Sequence, residues 1–112
     1  MSSKKAISRA FRKSVFERDH YRCAICDVAG QDRQEGDQDL PDLDAHHVEN
    51  RNKFPNGGYV TSNGISLCED CHIKAEAYHA TGTAVEGFTP KDLYTVIGSS
   101  FEQAMEDDLQ NG

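Results

Sequence analysis

The chain is 112 residues long, 37% hydrophobic, free of Trp and carries a formal net charge of −7. That length supports one domain with a modest core, and the apolar fraction is thin for a chain with several helices, so bound metal is expected to supply part of the stability. No apolar run approaches the ~18 residues of a membrane-spanning helix, and the basic start Met1-Ser2-Ser3-Lys4-Lys5 is not followed by the apolar stretch of a secretory signal, so the expectation is a cytoplasmic protein.

A negative chain ordinarily disfavours nucleic acid, but here the charge is polarised. Residues 1–22 carry Lys4, Lys5, Arg9, Arg12, Lys13, Arg18 and Arg22 against Glu17 and Asp19, a net of +5, and residues 23–112 carry the remaining −12. The pattern is a basic N-terminal arm on an acidic body. The arm suits DNA, and the acidic Glu102, Glu106, Asp107 and Asp108 suit a protein partner.

Residues 1–6 read as frayed. From Ser8, an N-cap residue type, to about Arg18 the pattern is helical, with Phe11, Val15 and Arg18 on one stripe beside Ala10 and Phe16. Arg9, Arg12 and Lys13 fall on the opposite, exposed face. Cys23-Ala24-Ile25-Cys26 follows as a tight knuckle. Asp27 to Asp42 reads as an acidic surface loop and a poor DNA contact. Leu43 to Val48 is a predicted strand, and Glu49 to Tyr59 a polar, turn-rich connection that brings Arg51 and Lys53 near it. Gly64 to Leu67 is a second short strand, making a hairpin with the first. Cys68 to about Ala80 is a predicted helix ended by Gly82, with Glu69 and Asp70 suited to its positive N-terminal end. Thr89-Pro90 opens a helix through about Ile97. Gly98 breaks it, and Ser99 or Ser100 caps a last helix to about Leu109, with Asn111-Gly112 frayed. The expected organisation is one domain over 1–112: a basic helix at about 8–18, a clamped core at about 19–80, and C-terminal helices at about 90–109.

Cys23-x2-Cys26 and Cys68-x2-Cys71 are separated by forty-one residues. Disulfides are uncommon in a cytoplasm, and two such pairs offer the four thiolates of a tetrahedral zinc site. Four thiolates leave no open coordination position, so this site is structural. It would tie the segment before the first strand to the helix after the second, turning metal affinity into folding energy.

Inside that clamp lie His46, His47, Asn63 and His72. Successive side chains on a strand face opposite sides, so His46 and His47 address different surroundings. If the hairpin packs on the helix after Cys68, His46 and His72 can share a cation and His47 stays free as a base. Glu76, four residues after His72, is a candidate further ligand or supporting group, and His79 a candidate support.

At these residues the sequence resembles the HNH endonuclease family. The run Leu43-Asp44-Ala45-His46-His47-Val48, then Asn63-Gly64-Ile65-Ser66-Leu67-Cys68, then Cys71-His72, is similar to its motif, and the cysteine pairs to its zinc-containing branch; Arg18-Asp19-His20-Tyr21-Arg22-Cys23 resembles its lead-in. The resemblance covers about residues 11–80. It implies an α+β, ββα-metal (His-Me finger) domain with flanking helices, stapled by a four-cysteine zinc site, that hydrolyses DNA phosphodiesters. It further implies His47 as general base, His46 and His72 as ligands of a catalytic divalent ion, and Asn63 as the residue that fixes the loop and helps orient the base. Where many relatives have aspartate this chain has His46, a softer and less negative ligand, which leaves magnesium, manganese or another divalent ion open.

The expected products are 5′-phosphate and 3′-hydroxyl ends. Arg9, Arg12, Lys13, Arg51 and Lys53 are candidate phosphate contacts. Few side chains suggest base reading, so low sequence specificity is expected, and one site in a monomer or weak dimer should nick a single strand. The competing readings are a zinc-stabilised nucleic-acid or protein-binding module, such as a phage packaging accessory, and an RNA-directed nuclease.

Overall fold

The computed structural model describes residues 3–111; Met1, Ser2 and Gly112, assigned above to frayed ends, lie outside the described residues. In chain order the elements are α1 (Lys4–Arg18), β1 (Gln31–Asp32), β2 (Asp42–His47), β3 (Gly64–Cys68), α2 (Glu69–Thr81), α3 (Pro90–Val96) and α4 (Phe101–Gln110), with one-turn 3-10 helices at Arg51–Lys53 and Thr61–Asn63. The fold is small α+β, as expected. None of these helices is long and apolar enough to cross a membrane.

The sheet has three strands in the order β1-β2-β3. β2 and β3 form the expected antiparallel hairpin, with His46 opposite Ile65 and His47 opposite Gly64. Alternation along the strands then builds two faces. Ala45, His47, Gly64 and Ser66 face α1, where Phe11 stacks on His47 and Ser66 donates to the Val15 carbonyl. A Cβ on Gly64 would run into Val15 and Phe11, so only glycine lets α1 lie this close to the base of the hairpin. Asp44, His46, Ile65 and Leu67 face α2. Ile65 and Leu67 are fully buried, each contributing about 1.5–3 kcal/mol. They join a core with Phe16, Leu43, Val48, Leu93, Tyr94 and Ala104.

The caps follow the sequence closely in the second half. Cys68 is the N-cap of α2, and Gly82, in the left-handed conformation at φ 78°, ends it. Thr89 and Asp92 form a reciprocal capping box with Pro90 in the first turn, and Ser100 caps α4.

The first half differs in three places. The helix begins at Lys4, not near Ser8, because the Ser3 side chain accepts the Ala6 amide at 3.1 Å and satisfies an end donor; Ser8 instead accepts from Arg12. The acidic stretch 27–42 is not wholly loop. Gln31 and Asp32 pair in parallel with Asp42 and Leu43, and the Gln31 side chain closes the intervening loop on Gln38 and Leu40. Finally, the basic face of α1 is not free. Arg12 keeps only 11% side-chain exposure between Asp32 and Glu35, and Arg9 also pairs with Glu35. Lys13 is exposed.

Candidate active site and metal centres

The Cys23–Cys26 turn is closed by its own backbone: the Cys23 amide donates to Val28 and the Asp27 amide back to Cys23, both at 2.9 Å. The other pair sits at the start of α2, so all four sulfurs converge within 4.8 Å of one another. All four cysteines are free, and the Cys26 and Cys68 sulfurs are 3.6 Å apart. That is far beyond a disulfide bond, and close to the ~3.8 Å edge of a tetrahedron built on Zn–S bonds of ~2.3 Å. Burial pushes the Cys23 thiol up, but the amides of Cys26, Cys68 and Ile25 outweigh it and bring it down to about 7. Burial, then the neighbouring sulfurs, push Cys71 up. A mutually opposed thiolate cluster of this kind calls for a thiophilic cation, and the donor set fits zinc.

A second donor group lies between β2 and α2. His46, His72 and Glu76 each place a ligand atom within 4.8 Å of the others. His46 is 3% exposed, and neither of its ring nitrogens makes a hydrogen bond, although Nδ1 stands 3.2 Å from Glu76 Oε1. An imidazole buried with both nitrogens unpartnered is costly unless a cation occupies one of them. Burial lowers its pKa, keeping it neutral and able to ligate. Glu76 is drawn down to about 2 by His46 first and then by the other imidazoles. His72 faces Glu76 through Nε2 at 3.2 Å and Asp44 through Nδ1 at 3.3 Å, and Asp44 raises its pKa. Burial opposes ionisation of Asp44, but His72 and Arg33 outweigh it and hold the carboxyl at about 2. The His79 ring lies tilted beside that of His46, with centroids 5.2 Å apart, and its Nε2 lies 3.3 Å from the His47 carbonyl.

His47 points to the other face. Phe11 stacks on its ring at 4.4 Å and Tyr59 meets it edge-on at 4.9 Å, which fixes the imidazole plane. Its Nε2 is buried without a partner. Burial first, then the Arg51 charge, lower its pKa to about 4, so the ring is neutral around pH 7. Arg51 is itself held by a 2.6 Å hydrogen bond from Nη1 to the Tyr59 hydroxyl. Because β1 stops at Asp32, no strand among the described residues lies beside the β2 edge beyond Leu43. A cavity of about 120 Å³ opens there, with His47 and Phe11 on one wall, His72 and Asp44 on the other, and Arg12 and Arg33 at its rim.

Asn63 is fully buried and saturated. Its Oδ1 accepts the Glu49 amide at 3.0 Å and the Tyr94 hydroxyl at 2.7 Å, and its Nδ2 donates to the Glu49 and Gly58 carbonyls. It therefore ties both ends of the 49–58 loop to the hairpin, and its backbone carbonyl accepts the Val48 amide at 2.9 Å. Asp108, also fully buried, accepts the Asn56 and Gly58 amides and anchors the same loop from α4. Lys53 lies 3.6 Å from Glu49.

Of the residues picked from sequence, the structure brings His46 and His72 together with Glu76, gathers the four cysteines, and keeps His47 apart on the opposite face. Asp44, Phe11, Tyr59 and Tyr94 were missed as site residues, and Asp108, expected from sequence on an acidic face for a protein partner, is instead fully buried and spent on the Asn56 and Gly58 amides. Only Asp44 left a legible signal, since a carboxylate two residues before His46 must share its face.

A family model described as HNH endonuclease matches residues 23–77. That segment contains all four cysteines, both strands of the hairpin, His46, His47, Asn63, His72 and Glu76, and leaves α1, α3 and α4 outside. No curated protein and no solved structure matches the chain. The family is one of nuclease domains that use divalent metals and act on nucleic acid, and the cysteine cluster accords with its zinc-containing branch. Residues 23–77, with their ββα core, thus match the HNH endonuclease family.

Proposed function

We propose that this protein is a divalent-metal-dependent endonuclease that hydrolyses DNA phosphodiesters, nicking one strand with little sequence preference and leaving 5′-phosphate and 3′-hydroxyl ends. The observation that carries this reading is a neutral imidazole with an unpartnered nitrogen, His47, across one small cleft from His72, a member of the His46-His72-Glu76 cradle. The whole chain acts as one unit, with α1, α3 and α4 as parts of the nuclease.

His47 takes a proton from water as the water oxygen attacks phosphorus; the bond from phosphorus to the 3′ oxygen breaks, and that oxygen leaves to be protonated. Phe11 and Tyr59 hold the His47 ring in plane for that transfer. Arg51, steadied by Tyr59, binds the phosphate, and the incoming negative charge offsets the Arg51 effect and makes His47 more basic in the complex. His46, His72 and Glu76 would hold the divalent ion, which when bound would supply charge neutralisation for the phosphodiester. Asp44 orients His72, and Asn63 fixes the loop that carries Arg51. The four cysteines hold zinc and take no part in the chemistry.

The test compares supercoiled duplex DNA, single-stranded DNA and RNA of matched length with magnesium, manganese, nickel or chelator. Duplex DNA converted to the open circle in the presence of ion, with ligatable ends, is the expected result. Cleavage of RNA alone, or none with any ion, sinks the proposal.

A further inference from the structure

We propose that Glu35 occupies, in the free protein, the position of a substrate phosphate at the mouth of the reactive cleft, so that nucleic acid binds by displacing it; this rests on the nuclease reading above. One carboxylate bridges two guanidinium groups: Oε1 is 3.1 Å from Arg9 Nε and Oε2 is 3.0 Å from Arg12 Nη2. The two non-bridging oxygens of a phosphodiester make the same bridge. These three residues line a groove of about 490 Å³ with Lys5, Ser8 and Gln34, and it shares Ser8, Arg12 and Gln34 with the cleft holding His47 and His72. The groove is therefore the next surface that a strand bound at that cleft would meet on this side.

Arg12 is built to present one face. Asp32 holds its Nε at 3.1 Å and Ser8 its Nη1 at 3.1 Å, both from ordered elements. Asp32 has only 14% side-chain exposure and stays put, whereas Glu35 has 43% and sits on the solvent side of the loop after β1. The Glu35 pairs are thus the exchangeable ones, and exposed pairs are weak and screened. The groove keeps a rigid cation beneath a removable anion, which offsets part of the affinity of the basic helix until a polyanion competes for it. Glu35 acts on substrate affinity and is no part of the chemical step.

The experiment measures binding of a short DNA duplex by fluorescence anisotropy in the His47→Ala background, which prevents cleavage. Glu35→Gln is expected to tighten binding by about threefold to tenfold and to steepen the dependence of log K on log salt by about one. Glu86→Gln removes the same charge from an exposed carboxylate elsewhere and is expected to change binding less than about twofold. Adding Arg9→Gln, an exposed position, to Glu35→Gln should remove most of the gain. Glu35→Gln binding no tighter than Glu86→Gln overturns the proposal. If the parent nicks plasmid while Glu35→Gln shows no gain, this inference falls alone; if the parent neither binds nor nicks DNA, both readings fall.

Discussion

The carboxylate of Asp44 stands 3.3 Å from Nδ1 of His72, the ring nitrogen opposite the one that faces Glu76. A ligating histidine is oriented by what its other nitrogen bonds, and losing such a partner typically costs 10- to 100-fold in metal affinity. Asp44→Asn is therefore expected to weaken manganese binding by about 10- to 100-fold while leaving the zinc content and the circular dichroism spectrum unchanged. Isothermal titration calorimetry of the zinc-loaded protein measures it, and unchanged manganese affinity would remove Asp44 from the account.

The same pair sets a pH dependence. The pKa of His72 is raised, chiefly by Asp44, so near neutral pH the ion-free protein carries part of a proton there that a ligating ring must release. His46, lowered by burial, has none to lose. Ion binding is expected to release a fraction of one proton, shrinking as pH rises through the raised His72 value, and apparent affinity should fall as the solution is acidified. Titrations in two buffers of different ionisation enthalpy read the proton count directly. Without the ion, the Asp44–His72 pair stabilises the fold fully below the ordinary His value of 6.5, and that gain fades as pH climbs through the raised one.

The histidines and cysteines were legible in the sequence because their chemistry demands fixed spacing: a Cys-x2-Cys turn offers two sulfurs to one ion, and adjacent strand residues must diverge. The C-terminal caps were legible because Thr89-Pro90 and Ser100 are local signals. The first turn of α1 was not, since Lys4-Lys5-Ala6 show no apolar repeat and only the Ser3 hydroxyl marks the start. The strand β1 was not, because two polar residues pair through backbone alone. The state of Arg12 was hidden for a different reason: its partners Asp32 and Glu35 lie 20 and 23 residues away and meet it only through the tertiary fold. Tyr94 and Asp108, 31 and 50 residues from their partners Asn63 and Gly58, were hidden in the same way.

Those last two residues give a stability test. Tyr94→Phe removes only the hydroxyl that donates to Asn63 Oδ1 and is expected to cost about 1–2 kcal/mol. Asp108→Asn weakens the acceptor for the Asn56 and Gly58 amides and should cost a similar amount. Because both knots meet at Gly58, the double variant is expected to depart from additivity by at least about 0.5 kcal/mol. Urea melts of the four proteins settle it; strict additivity would mean that the two knots hold the loop independently.

The four-cysteine site predicts its own stoichiometry. Purified protein is expected to carry one zinc per chain, and Cys71→Ser, or a strong chelator at elevated temperature, should release it together with most cooperative unfolding signal. A chain that melts unchanged after zinc is stripped would show that the apolar core suffices by itself.

The central claim is that His47 activates water against a DNA phosphodiester, and plasmid relaxation tests it most directly. Parent protein with manganese or magnesium is expected to convert supercoiled plasmid to the nicked circle, and His47→Ala, with zinc and manganese binding intact, to do so at least about 100-fold more slowly. His47→Ala nicking as fast as the parent, or a parent inert with every divalent ion, would contradict the account.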